Sequence, residues 1–239
     1  MLKLFEHEYI KNGQITQKNN FFCNQMIDKE INGNKCLLGY TNSNKKTIYK
    51  NMYFRKLFKL TLDETNDITE LMFGNNYNSD YLLPINIKIL LFGINFNNSV
   101  NNLPTYLTHL DLGFSFNQQV NNLPHSLIYL VFGYYFNQSV NYLPENIEYI
   151  YFHSNFNNSV ENLPLSLKYL LFDVNSIFNK SLNNLPNSLT FLQIGIDFDL
   201  PIENLPLNLK TAKCLRNYKY IDILKNKNIT IELYNNYEY

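Results

Sequence analysis

The chain has 239 residues, 20 basic and 20 acidic, with a formal net charge of zero and a hydrophobic fraction of 45%. No apolar run is long enough to cross a bilayer, which excludes a helical membrane span. Between Gly93 and Leu200 seven residues are acidic and only Lys168 and Lys180 are basic, which argues against a positive nucleic-acid groove along that stretch.

Charges interrupt the opening MLKLFEHEYIKNGQ, so the sequence predicts no signal peptide and a cytoplasmic protein. Cys23, Cys36 and Cys214 are odd in number and lack short paired spacing, as suits reduced thiols rather than a disulfide framework or zinc site. Asn12-Gly13 and Asn32-Gly33 are two-residue hairpin signals, so residues 1–60 read as a β-rich N-terminal cap. Tyr53–Leu62, with the turn DETN, is placed to pair against the first coil. The basic residues around Lys45–Lys59 and Lys210–Lys227 read as solvated faces.

From about residue 61 to 214 the chain repeats itself. FNNSVNNLPTYL at 96–107 returns as FNQQVNNLPHSL at 116–127, FNQSVNYLPENI at 136–147, FNNSVENLPLSL at 156–167 and FNKSLNNLPNSL at 178–189. Prolines at 84, 104, 124, 144, 164, 186 and 206 set a period of about 20 residues, the mark of a solenoid whose copies stack. After Pro104, Leu107, Leu110 and Leu112 make an L-x-x-L-x-L core; Leu110 and Leu112 have the period of a short strand with one buried face. Successive strands must then lie parallel in one sheet, one per coil, with irregular return turns on the other side. Seven to eight such coils are expected, the first opening near Ile68. Phe96, Phe116, Phe136, Phe156 and Phe178 are expected to form a core ladder. Asn97, Asn117, Asn137, Asn157 and Asn179 follow them, and a carboxamide both donates and accepts, so this row is expected to bridge the turns of neighbouring coils. Residues 215–239 read as a closing cap, with a helix at Tyr218–Lys225 and a strand at Ile229–Tyr234.

The residues between the leucines point to the sheet's outer face. One column reads Glu70, Ile89, His109, Tyr129, Tyr149, Tyr169, Phe191, Thr211; its neighbour reads Met72, Leu91, Asp111, Val131, Tyr151, Leu171, Gln193, Lys213. Tyr129, Val131, Tyr149, Tyr151, Tyr169, Leu171 and Phe191 are therefore expected to form an outward aromatic patch that binds a protein partner. The alternatives are a face covered by the N-terminal segment, or plain strand propensity. DVNSIFN at 173–179 carries two residues more than the matching GYYFN, and insertions often mark a binding loop. His109 and Asp111 share the outer face without a Ser or Cys nucleophile beside them, and His153 and Asp173, which replace the glycine at adjacent coils, are expected to face each other as a surface ion pair. No metal or phosphate motif stands out, and no cofactor is expected.

The pattern F-N-x-x-V-x-x-L-P-x-x-L-x-x-L-x-F-G over residues 67–214 resembles the FNIP repeat, a branch of the leucine-rich repeats found in amoebae and the large DNA viruses that infect them. The resemblance implies a leucine-rich-repeat arc and a role in protein–protein interaction. Many family members carry an N-terminal three-helix F-box, which implies ubiquitin-ligase recruitment; residues 1–60 lack its apolar L-P-x-E-type opening. The expected function is a non-catalytic interaction module. The alternatives are a self-assembling structural protein, a ligase substrate-recognition subunit and, last, a carbohydrate-active enzyme.

Overall fold

The structure, a computed structural model, describes residues 25–31, 34–40, 46–50, 70–73, 78, 83, 85–225, 227 and 229–234. Among the described residues twelve strands form one sheet in chain order: β1 (Gln25–Ile31), β2 (Asn34–Tyr40), β3 (Lys46–Lys50), β4 (Glu70–Phe73), β5 (Ile89–Leu91), β6 (His109–Asp111), β7 (Tyr129–Val131), β8 (Tyr149–Phe152), β9 (Tyr169–Phe172), β10 (Phe191–Gln193), β11 (Thr211–Leu215) and β12 (Thr230–Tyr234). A short helix, α1 (Ile221–Lys225), precedes β12. From β3 onward every neighbouring pair is parallel, as the repeat predicts.

Each coil is made by the same local chemistry. The proline fixes its own φ and its carbonyl closes a tight turn: Leu107 N–H donates to Pro104 O and Leu127 N–H to Pro124 O, both at 3.1 Å. The chain then enters its strand, whose middle residue is buried: Leu90, Leu110, Leu130, Ile150, Leu170 and Leu192 are at most 1% exposed. Gly113 ends one strand at φ 72°. A Cβ on Gly133 would stand 1.6 Å from the Gly113 carbonyl oxygen, so neighbouring coils meet there backbone to backbone and only glycine fits.

The interior is a stack of rings. Phe96, Phe116, Phe136, Phe156, Phe178 and Phe198 follow one another at centroid spacings of 6.0, 6.1, 5.9, 6.0 and 6.1 Å, and Tyr218 ends the row 5.8 Å beyond Phe198. A second row, Phe132, Phe152 and Phe172, lies against the first, with Phe132 4.0 Å from Phe136 and Phe152 3.9 Å from Phe156. A lone coil would leave both faces of each ring in water. Stacking covers them, so burial and order arise together.

The asparagine row makes directed hydrogen bonds. The side-chain oxygen of Asn97 accepts from Asn117 N–H at 2.8 Å; Asn117 accepts from Asn137, and Asn137 from Asn157, at 3.0 Å. The row continues through Asn179 to Asp199 N–H.

At the N-terminal end, β1 and β2, which flank Asn32-Gly33 in sequence, pair antiparallel, Ile31 against Asn34. The strand that pairs with β4 is β3, Thr47 against Glu70. The Asn12-Gly13 hairpin, the Tyr53–Leu62 pairing and the opening at Ile68 lie outside the described residues. At the other end the helix begins at Ile221, later than expected. Tyr218 is buried and its hydroxyl donates to Leu200 O at 2.6 Å, which ties that turn to the solenoid.

Replacing Asn137 by alanine leaves Asn157 N–H to water. We expect a stability loss of about 0.5–1.5 kcal/mol in urea denaturation. Asn137→Asp, which keeps an acceptor oxygen, should recover most of it; equal losses for both would show that the acceptor does not matter.

Candidate functional site

In-register parallel pairing lays the outer columns side by side: His109, Tyr129, Tyr149, Tyr169 and Phe191 in one, Asp111, Val131, Tyr151, Leu171 and Gln193 in the other. Six of these side chains form a hydrophobic cluster separate from the coil interior, centred on Val131, Tyr149 and Tyr151 with Tyr129, Tyr169 and Leu171 packed against it. Tyr129 stacks on Tyr149 at 3.8 Å and 9°. His109 stacks on Tyr129 at 5.5 Å, while Tyr149–Tyr169 and Tyr169–Phe191 are tilted pairs at 6.2 Å.

The expectation of seven outward-exposed side chains needs correction. Val131 and Tyr149 are 7% exposed and Tyr151 only 2%; Tyr129, Tyr169, Leu171 and Phe191 are half-buried. Strands about 4.8 Å apart bring equivalent rings face to face, so each ring shields its neighbours. The Tyr151 hydroxyl donates to Asp173 Oδ2 at 2.5 Å, and burial, together with that carboxylate, pushes its pKa up.

The polar groups of this face are engaged one by one. His109 Nδ1 lies 2.9 Å from Thr108 Oγ1, and burial lowers the pKa of the ring. Asp111 Oδ1 accepts from Gly113 N–H at 2.9 Å; burial pushes its pKa up to about 6. The two ion pairs among the described residues, Lys168–Glu148 and Lys225–Asp222, lie elsewhere. His153 and Asp173 are bridged by Ser154, not directly bonded. Ser154 N–H donates to His153 Nδ1 at 2.9 Å and its hydroxyl to Asp173 Oδ1 at 3.2 Å. His153 Nδ1 also lies 3.1 Å from Ser154 Oγ, so the serine hydroxyl stands between the imidazole and the Asp173 carboxylate. Burial lowers the pKa of His153, with Asp173 opposing the shift. Among the described residues no group of three or more His, Cys, Asp or Glu could hold a metal ion.

The two-residue insertion folds on itself. Ser176 N–H donates to Asp173 O at 3.0 Å, Asn175 N–H to Asp173 Oδ1 at 2.9 Å, and Phe178 N–H to Ser176 Oγ at 3.2 Å. Ser176 is fully buried, so the extra residues close a turn.

A second ring cluster was not expected. Where β6 and β7 end, Phe114 stacks on Tyr134 at 4.8 Å and 9°, and Tyr135 stands edge-on to both at 5.4 and 5.1 Å. His153 lies 5.4 Å from Tyr134. The dipeptide after each strand-end glycine, Phe114-Ser115 and Tyr134-Tyr135 against Ile94-Asn95, was the available signal.

Asp111 makes a pH prediction. A carboxyl pKa raised from 3.8 to about 6 stabilises the fold below about pH 4, and that contribution is lost as pH rises to about 6. Asp111→Asn keeps an acceptor for Gly113 N–H and cannot ionise. It should leave stability at pH 4 unchanged and raise it at pH 7 by about 1–3 kcal/mol in urea titrations. A variant no more stable at pH 7 would remove the strain assigned to this carboxylate.

The comparisons agree with this architecture. The FNIP Repeat family model matches residues 99–135 and 136–173. Among solved structures the chain is similar to CroV588 from a giant virus, described as a novel circular LRR protein, with a TM-score of 0.56 and 33% identity over 71% of this chain. The match spans 34% of that chain, so this chain corresponds to about a third of its length. No curated protein matches the sequence. The chain carries FNIP repeats, and they build a leucine-rich-repeat-like solenoid with a single parallel sheet.

Proposed function

We propose that the chain is a non-catalytic protein–protein interaction module whose partner docks on the outer sheet face, against Tyr129, Tyr169, Leu171 and Phe191. The observation that carries the reading is the second hydrophobic cluster, which lies outside the coil interior. The solenoid does not need it: the same strand position is Thr211 in β11 and Thr230 in β12, and those strands pair just as well. Half-buried rings held by buried neighbours present apolar area at small ordering cost, as interface anchors do. A repeat solenoid suits such a scaffold, since stacked coils offer an extended surface.

Two other readings have less support. Where a three-helix F-box would require helices, residues 25–31, 34–40 and 46–50 are strands, so the ligase alternative has no structural basis in them. A carbohydrate-active site would need His109 and Asp111 free to act together, whereas each is bonded to its own neighbour in the chain.

Tyr169→Asp combined with Phe191→Asp should abolish capture of a partner from amoebal lysate while circular dichroism and the melting temperature stay close to those of the wild type. Retention of every captured protein by this variant would sink the sheet-face reading. Light scattering over a concentration range separates it from self-assembly: a stable monomer is expected, and concentration-dependent growth lost in the variant would favour a structural role.

A further inference from the structure

The repeat supplies its own control for which side chains the fold requires. The two positions after the strand-end residue are Ile94-Asn95, Phe114-Ser115, Tyr134-Tyr135 and Ser154-Asn155 in four consecutive coils. Backbone pairing is the same throughout: Ser115 N–H donates to Ile94 O, Tyr135 to Phe114 O and Asn155 to Tyr134 O. Small polar residues therefore satisfy the fold at the site of Tyr135, which is nonetheless a tyrosine and 51% exposed. Phe114 and Tyr134, partly exposed, complete a three-ring cluster with one stacked pair and one edge-on ring.

The electrostatics around these rings have one sign. No lysine or arginine occurs between Lys88 and Lys168. Asp111, three residues before Phe114, is a carboxylate in no ion pair among the described residues; its bond is to Gly113 N–H through Oδ1. Asp173 is held by the hydroxyls of Tyr151 and of Ser154, the residue next in sequence to His153. Ring faces carry negative potential and attract guanidinium and ammonium groups, guanidinium most often because its plane also stacks.

We propose that the rim formed by Phe114, Tyr134 and Tyr135, with Asp111 at the end of the strand that leads into it, is a docking site for an arginine side chain in a basic segment of a partner protein. The proposal rests on the reading of the chain as a protein-binding scaffold and names the chemistry recognised at one edge of it. The guanidinium stacks on an exposed ring and reaches the Asp111 carboxylate, giving that charge the counter-ion it lacks. A lysine segment binds the same site more weakly, having charge without the planar stacking surface.

The test uses calorimetric titration of the full chain with an acetylated hexa-arginine amide, and with hexa-lysine and hexa-glutamate peptides as controls. Hexa-arginine should bind, hexa-lysine more weakly and hexa-glutamate not at all. Tyr134→Ile with Tyr135→Asn, which copies Ile94-Asn95, should weaken hexa-arginine about tenfold. Tyr135→Asn alone, at an exposed position that is Asn155 in the next coil, keeps the test valid if the double variant folds poorly; it should weaken binding several-fold. Asp111→Asn should also weaken it several-fold. Undiminished binding by folded rim variants would overturn the proposal. So would absence of arginine binding to the wild type, equal binding of hexa-glutamate, or a change confined to self-association. The sheet-face reading is tested by capture of a protein and the rim by peptide titration, so failure at the rim and failure of the sheet-face reading appear in different measurements.

Discussion

The structure depends on one constraint: the strands of successive coils must lie one strand spacing apart, with equivalent residues in register. Parallel pairing sets that spacing near 4.8 Å. Tyr129 pairs with Tyr149 and Tyr149 with Tyr169; the same coil-to-coil step carries Phe116 onto Phe136, 6.1 Å away on the interior side, and Asn117 onto Asn137. Any property that one coil acquires is thereby copied into a row. A phenylalanine becomes a stack, an asparagine becomes a ladder, and an outward tyrosine becomes part of a continuous aromatic surface.

The same constraint limits variation. Where Gly113 and Gly133 meet backbone to backbone there is no volume for a side chain. At the coils that carry His153 and Asp173 instead, the chain adds a bonded set around Ser154 and then a two-residue turn closed by Ser176. Departures from the repeat thus cluster, because a change at one coil alters what the next coil meets. The rim rings and the bridged His153–Asp173 pair stand at this transition. The outer face of a solenoid is where such departures can be retained without unstacking the core.

Most of the fold could be read from the sequence, for physical reasons. A proline every 20 or so residues, with apolar residues at fixed offsets, left one way to bury Leu110, Leu130 and Ile150 together. The outer columns could be written down for the same reason. Their exposure could not, since burial of Tyr149 and Tyr151 depends on how rings on adjacent strands overlap. The site of helix initiation was equally hidden. Tyr218 fits a helical pattern locally, but its hydroxyl reaches Leu200 in the preceding coil. The rim cluster was missed because Phe114 and Tyr134 sit in turns, where neither a period of two nor one of 3.6 applies.

The asparagine ladder has a direction. Each carboxamide oxygen accepts from the following coil, never the preceding one, from Asn97 to Asp199. Amide dipoles aligned this way add along the stack, as peptide dipoles do along a helix. The later end is the negative pole. Lys210, Lys213, Arg216 and Lys219 follow at that end of the chain, where positive charge complements the pole.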